Sequence, residues 1–205
     1  MSGFISGFSN NQYYLCPKKK NMRRFLLCAV LGIILATAII PSFKGEDTEP
    51  YVEKLGRLIR LSRLQTVRDD DFGFSFKCPT CFHADEYDSI PSHFRYVIYP
   101  PSIYRDAEGE VELECYASIN NERLTLQLLA DSIEKQVHPS SRKMLEDGFI
   151  VAGPLYMEGS RIPGHYFYAK YVMRQKAVFV YSISYPEGYD SALERVKNLI
   201  DEWQP

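Results

Sequence analysis

The two segments that decide the fold are YFYAKYVMR at residues 166–174 and AVFVYSISY at residues 177–185. Both are rich in aromatic and β-branched side chains, which suit the pleated, half-buried surface of a sheet. Only Gln175 and Lys176 separate them, so the two strands are expected to pair as an antiparallel hairpin. The sequence therefore predicts a sheet built outward from this hairpin.

Further strands are predicted on the amino-terminal side of the hairpin. Their marks are alternation of apolar and polar side chains and termination at proline or glycine. The predicted segments are residues 72–77, 94–99 and 110–119, together with residues 149–157, which are interrupted at Gly153-Pro154.

A carboxy-terminal helix comes after the hairpin. Its apolar side chains recur at helical spacing, and Ser191 and Glu194 have the spacing of a capping box. The apolar stripe consists of Ala192, Leu193, Val196, Leu199, Ile200 and Trp203. Strands followed by a covering helix predict an α+β domain with an antiparallel sheet of about six strands covered by helices, as an α/β/α sandwich.

Residues 120–138 are ambiguous. Asn120-Asn121 is typical of a hairpin turn, which favours a returning strand up to Leu128. Apolar residues from Leu126 to Val137 also fit helical spacing, so we predict a short strand to Leu128 and a helix from Asp131. A further short helix is predicted over residues 140–147, ended by Gly148.

A charge break divides the amino-terminal region. Five basic side chains lie within residues 18–24, and an uncharged apolar run of 16 residues, Phe25 to Ile40, comes directly after them. A basic flank, an apolar core and the small residues Ala36 and Ala38 are typical of an export signal. The run is short for a spanning helix, which needs roughly 20 residues, but a short anchor remains an alternative to cleavage after Ala38.

The predicted organisation has four parts. Residues 1–21 form an unstructured extension, and residues 22–40 form a signal peptide or short membrane anchor, for which Met22 is an alternative start. Residues 41–70 form a linker with an amphipathic helix, and residues 71–205 form the globular domain. The expected location is the periplasm or the outer face of the inner membrane.

The charge balance disfavours one class of partner. The chain carries 24 basic and 26 acidic side chains, and residues 1–38 contain five of the basic and none of the acidic ones. Residues 39–205 are therefore distinctly acidic, whereas phosphate neutralisation requires a basic face. The sequence predicts no binding to nucleic acid.

The linker contains a helix with two interpretations. Tyr51, Leu55, Leu58 and Ile59, with Leu61 or Leu64 as a further member, follow helical spacing after Glu49-Pro50, while Lys54, Arg57, Arg60 and Arg63 lie largely apart from that stripe. A basic amphipathic helix beside a membrane can rest on anionic lipid. The preferred interpretation is a helix packed on the domain with its basic residues in solvent.

The chain resembles PsbP/Mog-like domains at two places. One is the opening FGFSFKCP at residues 72–79, and the other is the close VFVYSISYP at residues 178–186 with the final helix. The resemblance covers residues 71–205 as a pattern. It implies an antiparallel sheet with the last helix packed across it. Exported bacterial members, including DcrB-like proteins, are mostly accessory proteins, and none of the family's binding residues can be matched here.

The sharpest local motif departs from that resemblance. Cys78-Pro79-Thr80-Cys81 places two thiols at the spacing of a redox disulfide or of half a zinc site. Completing a zinc site would require His83, His93 or Cys115, since there is no second Cys-x-x-Cys. The preferred interpretation is structural: a local disulfide, a bridge to Cys115, or buried thiols.

Other candidates are weaker. Glu108, Glu110, Glu112 and Glu114 alternate along one strand, which indicates a solvent face. The fifteen tyrosines suit either a recognition surface or strands whose edges are partly exposed to solvent. The sequence contains no catalytic elbow, zinc-binding His pair or phosphate loop, so no catalytic residue, metal or cofactor is expected.

The functional hypothesis is therefore a non-enzymatic binding or accessory module of the cell envelope. It would be exported, or tethered through residues 25–40 if these are uncleaved, and its partner would be an envelope protein or a small ligand. The alternative is a thiol-redox or metal-binding protein that uses Cys78 and Cys81.

Overall fold

The computed structural model describes residues 49–85, 90–104, 107 and 109–205. The predictions for residues 1–21 and 22–40, including the apolar run, lie outside the described residues, as do residues 41–48. Three helices are described: α1 (Tyr51–Leu61), α2 (Leu126–Val137) and α3 (Glu194–Glu202), the last preceded by a 3-10 helix (Asp190–Leu193). Within the described ranges, no helix is long and apolar enough to span a bilayer.

Within the same described residues, nine strands accompany these helices. Their bounds are β1 (Leu64–Arg68), β2 (Ser75–Pro79), β3 (His83–Ala84), β4 (His93–Ile98), β5 (Val111–Ile119), β6 (Ser141–Met144), β7 (Gly148–Met157), β8 (Ser160–Arg174) and β9 (Ala177–Pro186).

The main sheet is antiparallel and has seven strands. Its order is β3-β4-β5-β9-β8-β7-β6, so the predicted β8–β9 hairpin lies near its centre. The hairpin closes where Arg174 pairs with Ala177, and Gln175 in the turn takes a positive φ of 53°. The prediction of an α+β fold with an antiparallel sheet is confirmed. The sheet is one strand wider than expected, and β1 and β2 form a separate two-stranded ribbon.

One face of the sheet carries the larger core. Helices α1 and α3 and the β1–β2 ribbon cover this face, and Leu55, Ile59, Tyr181 and Ile200 are fully buried there. Each such aliphatic or aromatic side chain contributes roughly 1.5–3 kcal/mol by leaving water. The predicted stripe of the carboxy-terminal helix is confirmed by the burial of Val196, Ile200 and Trp203, with the half-buried Leu199 beside them.

The opposite face is covered only by α2, as far as the described residues show. The smaller core beneath this helix contains Ala130, Val151 and Val180, and the rings of Phe149 and Tyr171 stack there with centroids 4.8 Å apart. One helix of 12 residues cannot cover a sheet of this width. Part of this face is therefore open beside α2.

The prediction for residues 120–138 is wrong in its first half. Leu126 to Val137 form one continuous helix, without a returning strand. The side chain of Asn120 bonds both the amide and the carbonyl of Leu124 at 2.9 Å, which closes a loop where a hairpin was expected. Thr125 Oγ1 then accepts from the Leu128 amide at 3.3 Å and caps the first turn.

The predicted helix at residues 140–147 is also wrong, because Ser141–Met144 form the edge strand β6. These four residues are exposed and pair with β7, Met144 opposite Phe149. A local apolar pattern cannot reveal an edge strand that is held by backbone bonds to a partner strand. Gly153-Pro154 does not break β7, which continues through a register shift between Pro154 and Tyr156.

The folded unit begins further upstream than residue 71. Helix α1 is present in the predicted linker segment, and its buried Tyr51, Leu55 and Ile59 belong to the main core. The adjoining β1 pairs with β2, Val67 opposite Phe76. Residues 49–70 are thus an integral layer of the domain, and the helix does pack on it. The exposed Leu58 and Leu61 depart from the predicted stripe.

Cations from other elements cap two helices at their carboxyl ends. Arg195 Nη1 donates to the carbonyl oxygens of Ile59, Arg60 and Ser62 at 2.5, 2.9 and 2.8 Å, at the end of α1. Lys170 performs the same role at the end of α3. Helix ends expose unpaired carbonyls and partial negative charge, which such cations satisfy.

The predicted capping box at the start of the last helix is not formed. Neither the 3-10 helix nor α3 has a side-chain cap hydrogen bond at its first residue. The 3-10 turn places Ser191 and Glu194 inside a continuous helical segment, so the reciprocal geometry of a capping box cannot arise.

Candidate functional site

The open part of the sheet face beside α2 forms a groove of about 350 Å³. Its floor is laid by the three central strands: Glu112, Glu114 and Tyr116 on β5, Val180, Ser182 and Ser184 on β9, and Phe167, Ala169 and Tyr171 on β8. Its wall is Val137 at the end of α2 with Leu155, Tyr156 and Met157 on β7. Apolar walls with a few grouped polar side chains are typical of ligand sites.

Register explains why these polar groups lie together. Glu112 is opposite Ser184 and Glu114 is opposite Ser182 across the β5–β9 ladder. Alternate residues of a strand share one face, so both carboxylates and both hydroxyls point to the same side of the sheet. The expected solvent face of β5 is instead half-buried in the groove for Glu112 and Glu114.

Arg95 fixes the first of these carboxylates. Its guanidinium bonds Glu112 through two nitrogens, at 2.5 and 3.1 Å, and reaches Asp85 at 3.1 Å and Glu110 at 3.7 Å. Such a two-point contact holds the carboxylate in one orientation. The neighbouring carboxylates, above all Glu112, raise the pKa of Arg95 further above its ordinary value. Arg95 therefore stays charged and compensates the negative charge of Glu112 at this end of the groove.

Glu114 comes after Glu112 along the groove floor. Burial, followed by the nearby charge of Glu112, raises the pKa of its carboxyl, and His93 Nε2 lies 3.3 Å from Glu114 Oε1. Burial also raises the pKa of Tyr116, the next groove residue on β5, to about 12, which keeps its hydroxyl protonated. The floor therefore offers the hydroxyl of Tyr116 as a hydrogen-bond donor beside the carboxyl groups of Glu112 and Glu114.

A second depression, of about 510 Å³, lies between α1 and the carboxy-terminal helical segment. Basic and acidic side chains of both elements line it, among them Arg57, Glu53 and Glu194. A Cβ on Gly56 would lie 3.2 Å from the Cα of Ala192, so this depression is the seam of a tight helix contact. The mixed, exposed charge makes it a poorer ligand site than the groove.

The three candidate thiols lie on the other face of the sheet and are free. Cys78 on β2 and Cys115 on β5 are buried in the main core, and Cys81 is half-buried. Burial raises the pKa of Cys78 to about 12 and raises the pKa values of Cys81 and Cys115. Thiolates are the reactive form, so this setting opposes redox catalysis.

A zinc site is not assembled around these cysteines. Among residues 49–85, 90–104, 107 and 109–205, no three His, Cys, Asp or Glu side chains are grouped as metal ligands. His83 lies exposed on β3, and His93 is paired with Glu114 beside the groove. The proposed ligands are therefore divided between different parts of the sheet.

The tyrosines divide between core and surface. Tyr104, Tyr171, Tyr181 and Tyr185 are buried, whereas Tyr99 is largely exposed. Two tyrosines that sequence reasoning did not single out, Tyr116 and Tyr156, line the groove. The alternation of Glu112, Glu114 and Tyr116 along β5 was the sequence signal that could have indicated the groove. It does not reveal that β9 places Ser182 and Ser184 beside them.

One solved structure is similar to this chain. The solution structure of cyanobacterial PsbP (CyanoP) from Synechocystis sp. PCC 6803 is similar over 69% of this chain and 91% of that chain, with 12% identity and a TM-score of 0.45. No protein-family model matches the chain, and no curated protein matches it.

Proposed function

We propose that this chain is a non-enzymatic binding module of the cell envelope, and that it holds its partner in the groove beside α2. The observation that carries the proposal is the open sheet face with its grouped Glu112, Glu114, Ser182 and Ser184. The partner is an envelope protein segment or a small ligand that brings hydrogen-bond donors to the carboxylates and an apolar body to the wall. The basic flank and apolar run of residues 18–40 support export or tethering.

The pairing of the charged groups favours binding over catalysis. Glu112 is held by Arg95, and Glu114 faces His93. A catalytic base or nucleophile requires a partner group that activates it and a position for the reacting atom. The guanidinium of Arg95 instead compensates the charge of Glu112 and fixes its orientation, which suits recognition by shape and hydrogen bonds.

The thiol alternative stays a prediction with less support. Its two cysteines face the main core, away from the groove, and burial raises their pKa values. Among the described residues, no contact or grouping specifically favours this second function.

The proposed function is tested by filling the groove. Ser182 is half-buried on its floor, so Ser182→Arg introduces a long side chain there, while Ser102→Arg makes the same exchange in an exposed turn. Carboxy-terminally tagged full-length wild type and both variants are captured from detergent-solubilised envelopes, and small ligands retained by the purified proteins are read by native mass spectrometry.

We expect wild type and Ser102→Arg to retain the partner or ligand and Ser182→Arg to lose it. Retention by all three proteins would show that recognition lies elsewhere. Absence of any partner or ligand, together with a bound metal or mixed disulfide at Cys78 or Cys81, would support the thiol alternative. Circular dichroism of both variants verifies that the fold is intact.

A further inference from the structure

Three leucines at the junction of α1 and β1 are exposed. Leu58, Leu61 and Leu64 expose 48%, 74% and 38% of their surface. Helix α1 already buries Tyr51, Leu55 and Ile59 against the sheet, so these leucines form a second apolar set that the fold does not use. Single exposed leucines are ordinary, but a local group of them indicates an interaction surface.

Basic side chains lie at the same junction as these leucines. Arg57, Arg60 and Arg63 are exposed at the same junction, and Leu64 and Arg68 lie on the outer side of β1, where alternate residues are exposed. We name Leu58, Leu61, Leu64, Arg57, Arg60 and Arg63 the leucine–arginine patch. Glu49 bonds Arg57 at 2.6 Å, so within the described part of the chain Arg60 and Arg63 provide most of its uncompensated charge.

The position of the patch in the chain restricts what can meet it. Tyr51 comes after the apolar run Phe25–Ile40 by only 11 residues, which span at most about 40 Å when extended. If the run lies in a membrane, α1 is held close to the lipid surface. Leucines ringed by arginines have the composition of helices that lie in the interface of anionic bilayers.

We propose that the leucine–arginine patch docks on an anionic lipid surface, with its leucines among the acyl chains and its arginines on headgroup phosphates. This contact is separate from the proposed partner site, because the groove lies on the opposite face of the sheet. It also reconciles the two interpretations of α1: one stripe of the helix packs on the domain, and the leucine–arginine patch faces the membrane.

The experiment measures the lipid contact residue by residue in the full chain. Leu61→Trp places a reporter in the patch, and Leu128→Trp places one at a leucine of α2 that is 55% exposed on the other face. The chain has a single native tryptophan, so the wild type gives the background. Each protein is reconstituted into phosphatidylcholine vesicles with and without phosphatidylglycerol, and quenching by brominated acyl chains is recorded.

The expected result is loss of Leu61→Trp fluorescence in vesicles with phosphatidylglycerol, without loss for Leu128→Trp. Adding Arg57→Gln, Arg60→Gln and Arg63→Gln should abolish the quenching, since a basic residue contributes roughly fivefold to binding on such surfaces, or about 100-fold for three. Screening by about 0.5 M salt should act in the same direction.

Three outcomes would overturn the proposal. If the fluorescence of Leu61→Trp is quenched no more than that of wild type, the patch does not contact lipid. Equal quenching of Leu61→Trp and Leu128→Trp shows contact without a preferred face. Equal quenching with and without phosphatidylglycerol shows that the arginines do not select anionic headgroups.

Discussion

Lys170 Nζ donates a hydrogen bond to the backbone carbonyl of Trp203 at 2.7 Å, from β8 to the residue directly after α3. The same ammonium donates to the Asp201 carbonyl at 2.7 Å, and Lys170 is only 1% exposed. A buried lysine is costly unless its donors are satisfied. Here its charge lies at the negative end of a helix, which compensates part of that cost.

Replacing this lysine tests the cap. We expect Lys170→Met to lower the free energy of unfolding by about 2–3 kcal/mol, because two carbonyls lose a charged donor in a buried place. Lys176→Met, in the exposed turn of the β8–β9 hairpin, is the matched control and should change stability by less than about 0.5 kcal/mol. Urea unfolding measures both, and equal stability of the two variants would contradict the role of Lys170.

Glu114 should give the domain a pH-dependent stability. Burial raises its pKa in the folded state above the ordinary value of 4.5, so the folded protein binds more protons than the unfolded chain in the interval above 4.5. This contribution is fully present below pH 4.5 and is lost as the pH rises through the raised pKa. Wild type should therefore lose stability relative to Glu114→Gln across this interval.

Denaturant unfolding from about pH 4 to 8 measures that difference. Glu146→Gln replaces an exposed carboxyl, and its free energy of unfolding should vary with pH as that of the wild type does. If the difference between wild type and Glu114→Gln is independent of pH, the carboxyl titrates as it would in the unfolded chain, and the description of the groove floor is wrong.

The three domain thiols should react at different rates. Cys81 is half-buried, whereas Cys78 and Cys115 are fully buried, and burial raises the pKa of all three. We expect alkylation at neutral pH to modify Cys81 first and the other two only when the domain unfolds. Peptide mapping by mass spectrometry separates them from Cys16 and Cys28. Rapid modification of both Cys78 and Cys81 would revive the thiol-redox alternative.

Gly153 should resist substitution by even one methyl group. A Cβ at this position would lie 2.6 Å from the Ser140 amide nitrogen and 3.0 Å from the Pro139 Cα. Both contacts are with backbone, which cannot rotate away. We expect Gly153→Ala to destabilise the domain by roughly 1–3 kcal/mol through overpacking, read as a lower midpoint of thermal unfolding. An unchanged midpoint would mean that the segment before β6 adapts freely.

Sequence reasoning succeeded where local pattern and burial agree. The β8–β9 hairpin and the α3 stripe are strongly periodic, so their partners could be inferred without the structure. It failed at Ser141–Met144, where exposed residues form a strand only because β7 lies beside them. Leu124 to Leu128 were predicted as a strand because Asn120-Asn121 is typical of a hairpin turn and leucines alternate after it. The side-chain bonds of Asn120 and the cap at Thr125, which close a loop and start a helix there, leave no mark in the apolar pattern.

The candidate site was less accessible to the same reasoning. Glu112 and Glu114 were noticed as a pattern, but their environment depends on β9 and on how far α2 extends over the sheet. Pairings between strands more than 50 residues apart in the chain fix the position of β9 beside them. The spacing of Cys78 and Cys81 was evident, whereas their burial results from the packing of β2 on the sheet.

The hydrogen bonds from Arg195 to the end of α1 determine when this helix can be capped during synthesis of the chain. The two partners are 133 to 136 residues apart, so almost the whole domain has to leave the ribosome before the first helix can be secured. The domain therefore completes its fold only when its last helix has been synthesised.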